Sequence, residues 1–123
     1  MNRVANVHLA NGGTIELPEP AWCTSQHEQG LDRTDLFHEG PEMALVVDTV
    51  RGRVRVLEAA LTQYPFASTD AGRVPVVTVA LDGGYASFDP LGLRALSLGL
   101  ARHAERLQQL AYELERLRAE GSR

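Results

Sequence analysis

Cys23, His27 and His38 are the residues of this chain whose types and spacing best suit a metal ion. Thiolate sulfur and imidazole nitrogen are preferred zinc ligands, and a structural zinc takes four ligands in a tetrahedron. The sole cysteine and two of the four histidines fall within sixteen residues of one polar segment. If the chain after Pro20 makes one helical turn, the C-x3-H spacing points Cys23 and His27 from the same face. The fourth position is open to Glu19, Glu28, Asp32, Asp35 or water. The competing reading is that Trp22 plugs the core, Cys23 packs as a small apolar group, and the histidines hydrogen-bond the loop. A third reading is a zinc-dependent hydrolase with an open coordination position. A bound water would then ionise near neutral pH, with Glu28 or Glu39 as base.

Two further groups have chemistry to weigh. Arg51, Arg53 and Arg55 are two apart, so on a strand they share a face and could grip a phosphate or carboxylate. A solvated face that protects a sheet edge is the simpler reading. His103 lies in a leucine seam, where it is either a pH-sensitive interface group or a satisfied, partly buried imidazole. No Gly-x-Ser-x-Gly, His-Glu-x-x-His or Gly-x-Gly-x-x-Gly motif occurs, so no catalytic residue is assigned and the reading leans away from an enzyme.

Composition narrows the field. All twelve basic residues are arginine, which excludes a P-loop lysine, a Schiff-base lysine and a lysine general base. The net charge of -4 argues against a generic nucleic-acid binder, because Lys and Arg on phosphate supply most non-specific affinity. A single cysteine forbids an intrachain disulfide and fits a reducing compartment. The N-terminus lacks an apolar leader segment, and no apolar run approaches the roughly 18 residues a membrane span requires. A cytoplasmic protein without membrane association is expected.

The elements that must position these groups fit one domain over residues 1–123, since 44% apolar content in 123 residues can bury a real core. Strands are expected at 3–10 and 14–18 around the Asn11-Gly12-Gly13 turn, giving an N-terminal hairpin within 1–18. Pro18, Glu19 and Pro20 should stop that ladder. Residues 19–42 then form an irregular Cys/His loop of a length that usually signals function or metal organisation. Residues 43–88 supply further strands. Met43–Val50 is an apolar run, Arg53–Tyr64 reads as strand through Val54, Val56, Thr62 and Tyr64, and Val74–Leu81 is valine-rich with Pro75 at its start.

Asp89-Pro90 is a helix entry signal, the aspartate capping free amides and proline losing nothing at the first position. A long amphipathic helix is expected over 89–119. Leu96, Leu100, His103, Leu107, Leu110, Leu114 and Leu117 are separated by 4, 3, 4, 3, 4 and 3, the spacing of a coiled-coil seam. Its first turns, with Leu91, Leu93, Leu96 and Leu98, should cover a sheet. A helix of thirty residues runs about 45 Å, beyond what strands commonly under about 20 Å can cover. The half beyond Leu100 therefore calls for a partner, most simply its own copy in a homodimer, with another protein as the alternative. The fold class is α+β: a small antiparallel sheet of about four to six strands, an irregular Cys/His loop and one long C-terminal helix.

Pro20-Ala21-Trp22-Cys23, His27 and His38-Glu39-Gly40, followed by strands and an Ala/Leu/Arg/Glu-rich helix, resemble a family of small uncharacterised actinobacterial domains of the Streptomyces type. Members often carry a further cysteine just before the Pro-x-Trp-Cys element, where this chain has Glu19. The resemblance thus implies either a carboxylate ligand in place of a thiolate or a site that has decayed into packing. It implies no activity. The function expected is a non-enzymatic binding or regulatory module with a structural zinc at 19–40 and self-association through the helix. A DNA-associated regulator with an arginine surface is the rival.

Overall fold

The computed structural model describes residues 3–121. Met1 and Asn2, the start of the expected hairpin, and Ser122 and Arg123 lie outside the described residues. The described chain is α+β, with two antiparallel sheets and one long C-terminal helix. It forms two compact units that divide between Asp89 and Pro90.

In the first unit, β1 (Arg3–His8) and β2 (Thr14–Glu19) pair as an antiparallel hairpin. Asn11 and Gly12 make its turn: Gly12 takes φ +89°, the Leu9 amide donates to Gly13 O, and the Asn11 side chain accepts from the Gly13 amide. β1 ends at His8, sooner than expected, and Leu9 instead bridges to Leu31. Pro18 does not stop β2 as expected. It lies inside the strand opposite Val4, a place it tolerates because among the described residues β2 pairs with β1 alone and an edge strand needs no donor on its open side.

Period-two alternation puts Ala5, Val7, Leu9, Ile15 and Leu17 on one face of the hairpin. Val7 and Leu17 are fully buried there with Leu36, and Leu31 and Phe66 pack against them. Leu36 follows a single 3-10 turn at Arg33–Asp35. This small cluster is the apolar core beside which the polar segment folds.

The second sheet contains β3 (His38–Glu39), β4 (Met43–Thr49), β5 (Gly52–Gln63), β6 (Val76–Leu81) and β7 (Gly84–Phe88). β5 is central, pairing with β3, β4 and β6, while β7 extends the sheet beyond β6. The strand reading of 53–64 holds, because β-branched and aromatic residues outweigh its helix formers in a sheet context. A bulge interrupts its pairing with β4: Leu45 faces Val56 but Met43 faces Ala59, so two β5 residues oppose Ala44. Leu57 sits in this bulge at φ +56°, a conformation bulky residues seldom adopt. Asp82 and Gly83, both at positive φ, close the β6–β7 hairpin. Residues 70–73 form one short turn, α1 (Asp70–Arg73), started by Thr69, whose hydroxyl accepts from the Gly72 amide.

The second unit is α2 (Pro90–Gly121). Gly92, Leu93 and Leu96 are partly buried, and every residue from Ser97 to Gly121 is exposed. No helix among the described residues is long and apolar enough to cross a membrane.

Candidate metal centre

The alternation that turns Ile15 and Leu17 inward continues to the last residue of β2, Glu19, and turns its carboxylate to the inner side of the hairpin. A second alternation runs through Leu36, His38 and Gly40, all buried. Leu36 enters the apolar core, and two residues later His38 lies beside Glu19. β3 fixes that position by pairing His38 with Gln63 and Glu39 with Thr62 of β5.

Cys23 and His27 reach the same place without a helix. The expected helical turn after Pro20 is absent: the Cys23 amide donates to Pro20 O at 3.0 Å in a tight turn, and the chain runs irregularly to Gln29. Pro20 cannot donate, and the Thr24 amide is drawn to Glu39 O at 2.9 Å, so the backbone bonds across to β3 instead of along a helix. Arg3 adds a second tie, its guanidinium donating to Cys23 O at 2.6 Å. Gly40 admits the segment closely, since a Cβ there would lie 3.2 Å from Trp22 O.

The result is a buried constellation. The ligand atoms of Glu19, Cys23, His27 and His38 all lie within 4.8 Å of one another. Cys23 and His38 are 1% and 2% exposed, and the Glu19 and His27 side chains are 8% and 5% exposed. Glu19 accepts a short hydrogen bond from His27 Nε2. His38 Nδ1 is 3.8 Å from Glu19 Oε2, too far for a hydrogen bond, and is buried with no hydrogen-bond partner among the described residues. The Trp22 and His27 rings each meet the His38 ring in a T-shaped contact, at centroid distances of 6.2 and 5.5 Å.

Burial pushes the Cys23 thiol up, helped by its contact with the Glu19 carboxylate. Burial pushes His38 down despite the attraction of Glu19, with His27 acting in the same direction as burial. Without a further charge, then, the pocket favours a neutral thiol and a neutral His38 imidazole. A divalent cation reverses the first preference, since a coordinating thiol is deprotonated.

These four side chains could hold a metal ion. Zinc ligands at a tetrahedron's corners lie about 3.3–3.8 Å apart, so the group needs only small side-chain adjustments to close. A thiolate and a carboxylate also balance a divalent ion, leaving a neutral buried site and avoiding the cost of unpaired interior charge. The other fourth-ligand candidates lie outside this group. These are Glu28, Asp32 and Asp35, all exposed, and of the two residues considered as a base, Glu28 is exposed and Glu39 lines a separate cavity with Glu42 and Glu58. The place of Glu19 could have been read from the spacing Ile15, Leu17, Glu19 once β2 was allowed to run through Pro18.

Of the three arginines expected on one strand face, Arg53 and Arg55 share a face of β5 and Arg51 does not. Arg51 is in the β4–β5 turn, whereas Arg53 and Arg55 on β5 pair with Asp48 and Glu42, each at 2.9 Å. Leu100, His103, Leu107, Leu110, Leu114 and Leu117 form one exposed stripe along α2.

No curated protein and no solved structure matches the chain. A profile described as a domain of unknown function matches residues 4–116. With most of its length so matched, the chain belongs to the DUF6907 family of domains of unknown function.

Proposed function

We propose that this domain is a non-enzymatic binding module whose Cys/His segment is held in shape by a structural zinc ion. Glu19, Cys23, His27 and His38 are its ligands. The observation that carries the reading is His38 Nδ1, a buried nitrogen with no hydrogen-bond partner among the described residues, beside the Glu19 carboxylate in a group that also holds a thiol and a second imidazole. An unsatisfied buried polar atom costs about 1–3 kcal/mol, and coordination would remove that cost. A sulfur, two nitrogens and an oxygen suit zinc better than magnesium or calcium, which favour oxygen throughout.

Four protein ligands close the tetrahedron, which favours a structural over a catalytic role. The ion would join the end of β2 to β3 and so fasten the hairpin to the five-stranded sheet. One face of that sheet offers an apolar surface in Met43, Leu45, Val47, Val54 and Val56, all exposed, which suits a module that binds another molecule.

The test is elemental analysis of protein purified with neither added zinc nor chelator, beside Cys23→Ala prepared identically. About one zinc per chain is expected in the parent, with a loss of most of it in the variant. Clearly substoichiometric metal in the parent, or unchanged content in the variant, overturns the assignment.

A further inference from the structure

The seam of α2 carries information about what covers it. Leu107, Leu110, Leu114 and Leu117 are 50–63% exposed, an apolar stripe repeating over three heptads from Leu96 to Leu117. Its two flanks differ. Arg106 and Glu113 border one side, one heptad apart and opposite in charge, while Ala104 and Ala111 border the other.

We propose that two copies of this chain pair through α2 in antiparallel orientation, with Leu107 of each against Leu110 of the other. Turning one helix end for end brings like flanks together. In this register Leu100 meets Leu117, and His103 meets Leu114. On one flank Arg106 of each copy then faces Glu113 of the other, twice by symmetry; on the other flank Ala104 faces Ala111, and the small side chains let the backbones approach. Glu113 already accepts from Arg116 on its own helix, and a carboxylate retains acceptor capacity for a second guanidinium.

A parallel pair is the competing arrangement. It would set Glu113 against Arg118 of the other copy, but it would place His103 against its own copy inside an apolar seam and leave Arg106 beside Ala111. It would also align the two helix dipoles, which the antiparallel pair opposes. Charges flanking a seam are the usual determinant of partner and orientation.

The test is sedimentation equilibrium of the full-length protein up to roughly 100 µM, with Arg106→Glu, Glu113→Arg and the double exchange. Arg106→Glu puts like charges at both symmetric contacts and should weaken dimerisation about tenfold. The new carboxylate stands one helical turn after Arg102, an opposite-charge spacing that supports the helix, so far-ultraviolet circular dichroism should retain its helical signal. The double exchange should restore the dimer. A monomeric parent, with the seam covered within its own chain, overturns the proposal. So does an Arg106→Glu variant that dimerises like the parent, or a double exchange that remains weak, as the parallel pair requires.

Discussion

His38 Nδ1 and Glu19 Oε2 stand 3.8 Å apart, both side chains more than nine-tenths buried, with no hydrogen bond between them. Glu19 spends its other oxygen on His27. A well-packed interior normally satisfies such atoms, so the pair defines a gap between two strands that a bridging ion fits. Glu19 ends β2 and His38 begins β3, so whatever joins them also joins the two sheets of the first unit.

Glu19 is the natural place to vary the donor set. Glu19→Ala removes one ligand while leaving Cys23, His27 and His38, and affinity for zinc should fall by more than about 100-fold, beyond the cost of losing an outer partner of a ligand. Glu19→Cys should retain the metal, because a thiolate is an equally suitable zinc ligand. Competition against a chromophoric chelator measures both. Equal affinity for the parent and Glu19→Ala would remove Glu19 from the coordination shell.

Metal removal should be felt in stability. An ion present at about a thousand times its dissociation constant contributes about 4 kcal/mol. For a unit of this size its loss should lower the melting temperature by at least about 10 °C. The expected result is a chelator-induced drop in the parent, reversed by added zinc, and no drop in Cys23→Ala. Thermal denaturation followed by circular dichroism at 222 nm overweights α2, so tryptophan fluorescence from Trp22 is the better signal.

Much of this arrangement was legible in the chain and some was not, for physical reasons. Asp89-Pro90 and the leucine spacing marked α2 because helix entry and amphipathic repeat are local properties. Asn11-Gly12-Gly13 marked the hairpin for the same reason. The ligand segment was harder. Two-residue β3 has no periodicity to detect, and its place is set by pairing with Gln63 and Thr62, far along the chain. Cys23 and His27 invited a helical turn by their spacing, but the Thr24 amide bonds to Glu39 instead. Leu57 at positive φ was equally hidden, since nothing in its side chain favours the bulge that the β4 register imposes.

Gly40 should be intolerant of any side chain. A methyl group there would come within 3.2 Å of Trp22 O and 3.6 Å of both Leu61 Cβ and Trp22 Cε3. Relief requires moving backbone, because the Gly40 amide is held by Leu61 O at 2.9 Å. Gly40→Ala should cost about 1–3 kcal/mol, as overpacking does. It should also weaken metal binding, since Trp22 precedes Cys23 directly. Urea unfolding of the chelated and loaded forms separates the two effects. A variant as stable as the parent in both forms would show that the segment has slack here.

Stability of the metal-free protein should be bounded on both sides in pH. Burial lowers His38 from its ordinary 6.5. As pH falls below about 6.5, the unfolded chain takes up the proton first and stability declines until the folded value is passed. Burial raises Cys23 from its ordinary 9.0. Above that value the unfolded chain loses the thiol proton first, and stability declines again as pH rises toward the folded value. Between these limits neither group contributes a slope. Loading with zinc changes the upper limb, because coordination deprotonates Cys23 in the folded state and releases its proton at neutral pH. Calorimetric titrations at pH 7 in buffers of different ionisation enthalpy should therefore report release of at least one proton per zinc bound. An apparent binding enthalpy independent of buffer would exclude thiolate coordination by Cys23.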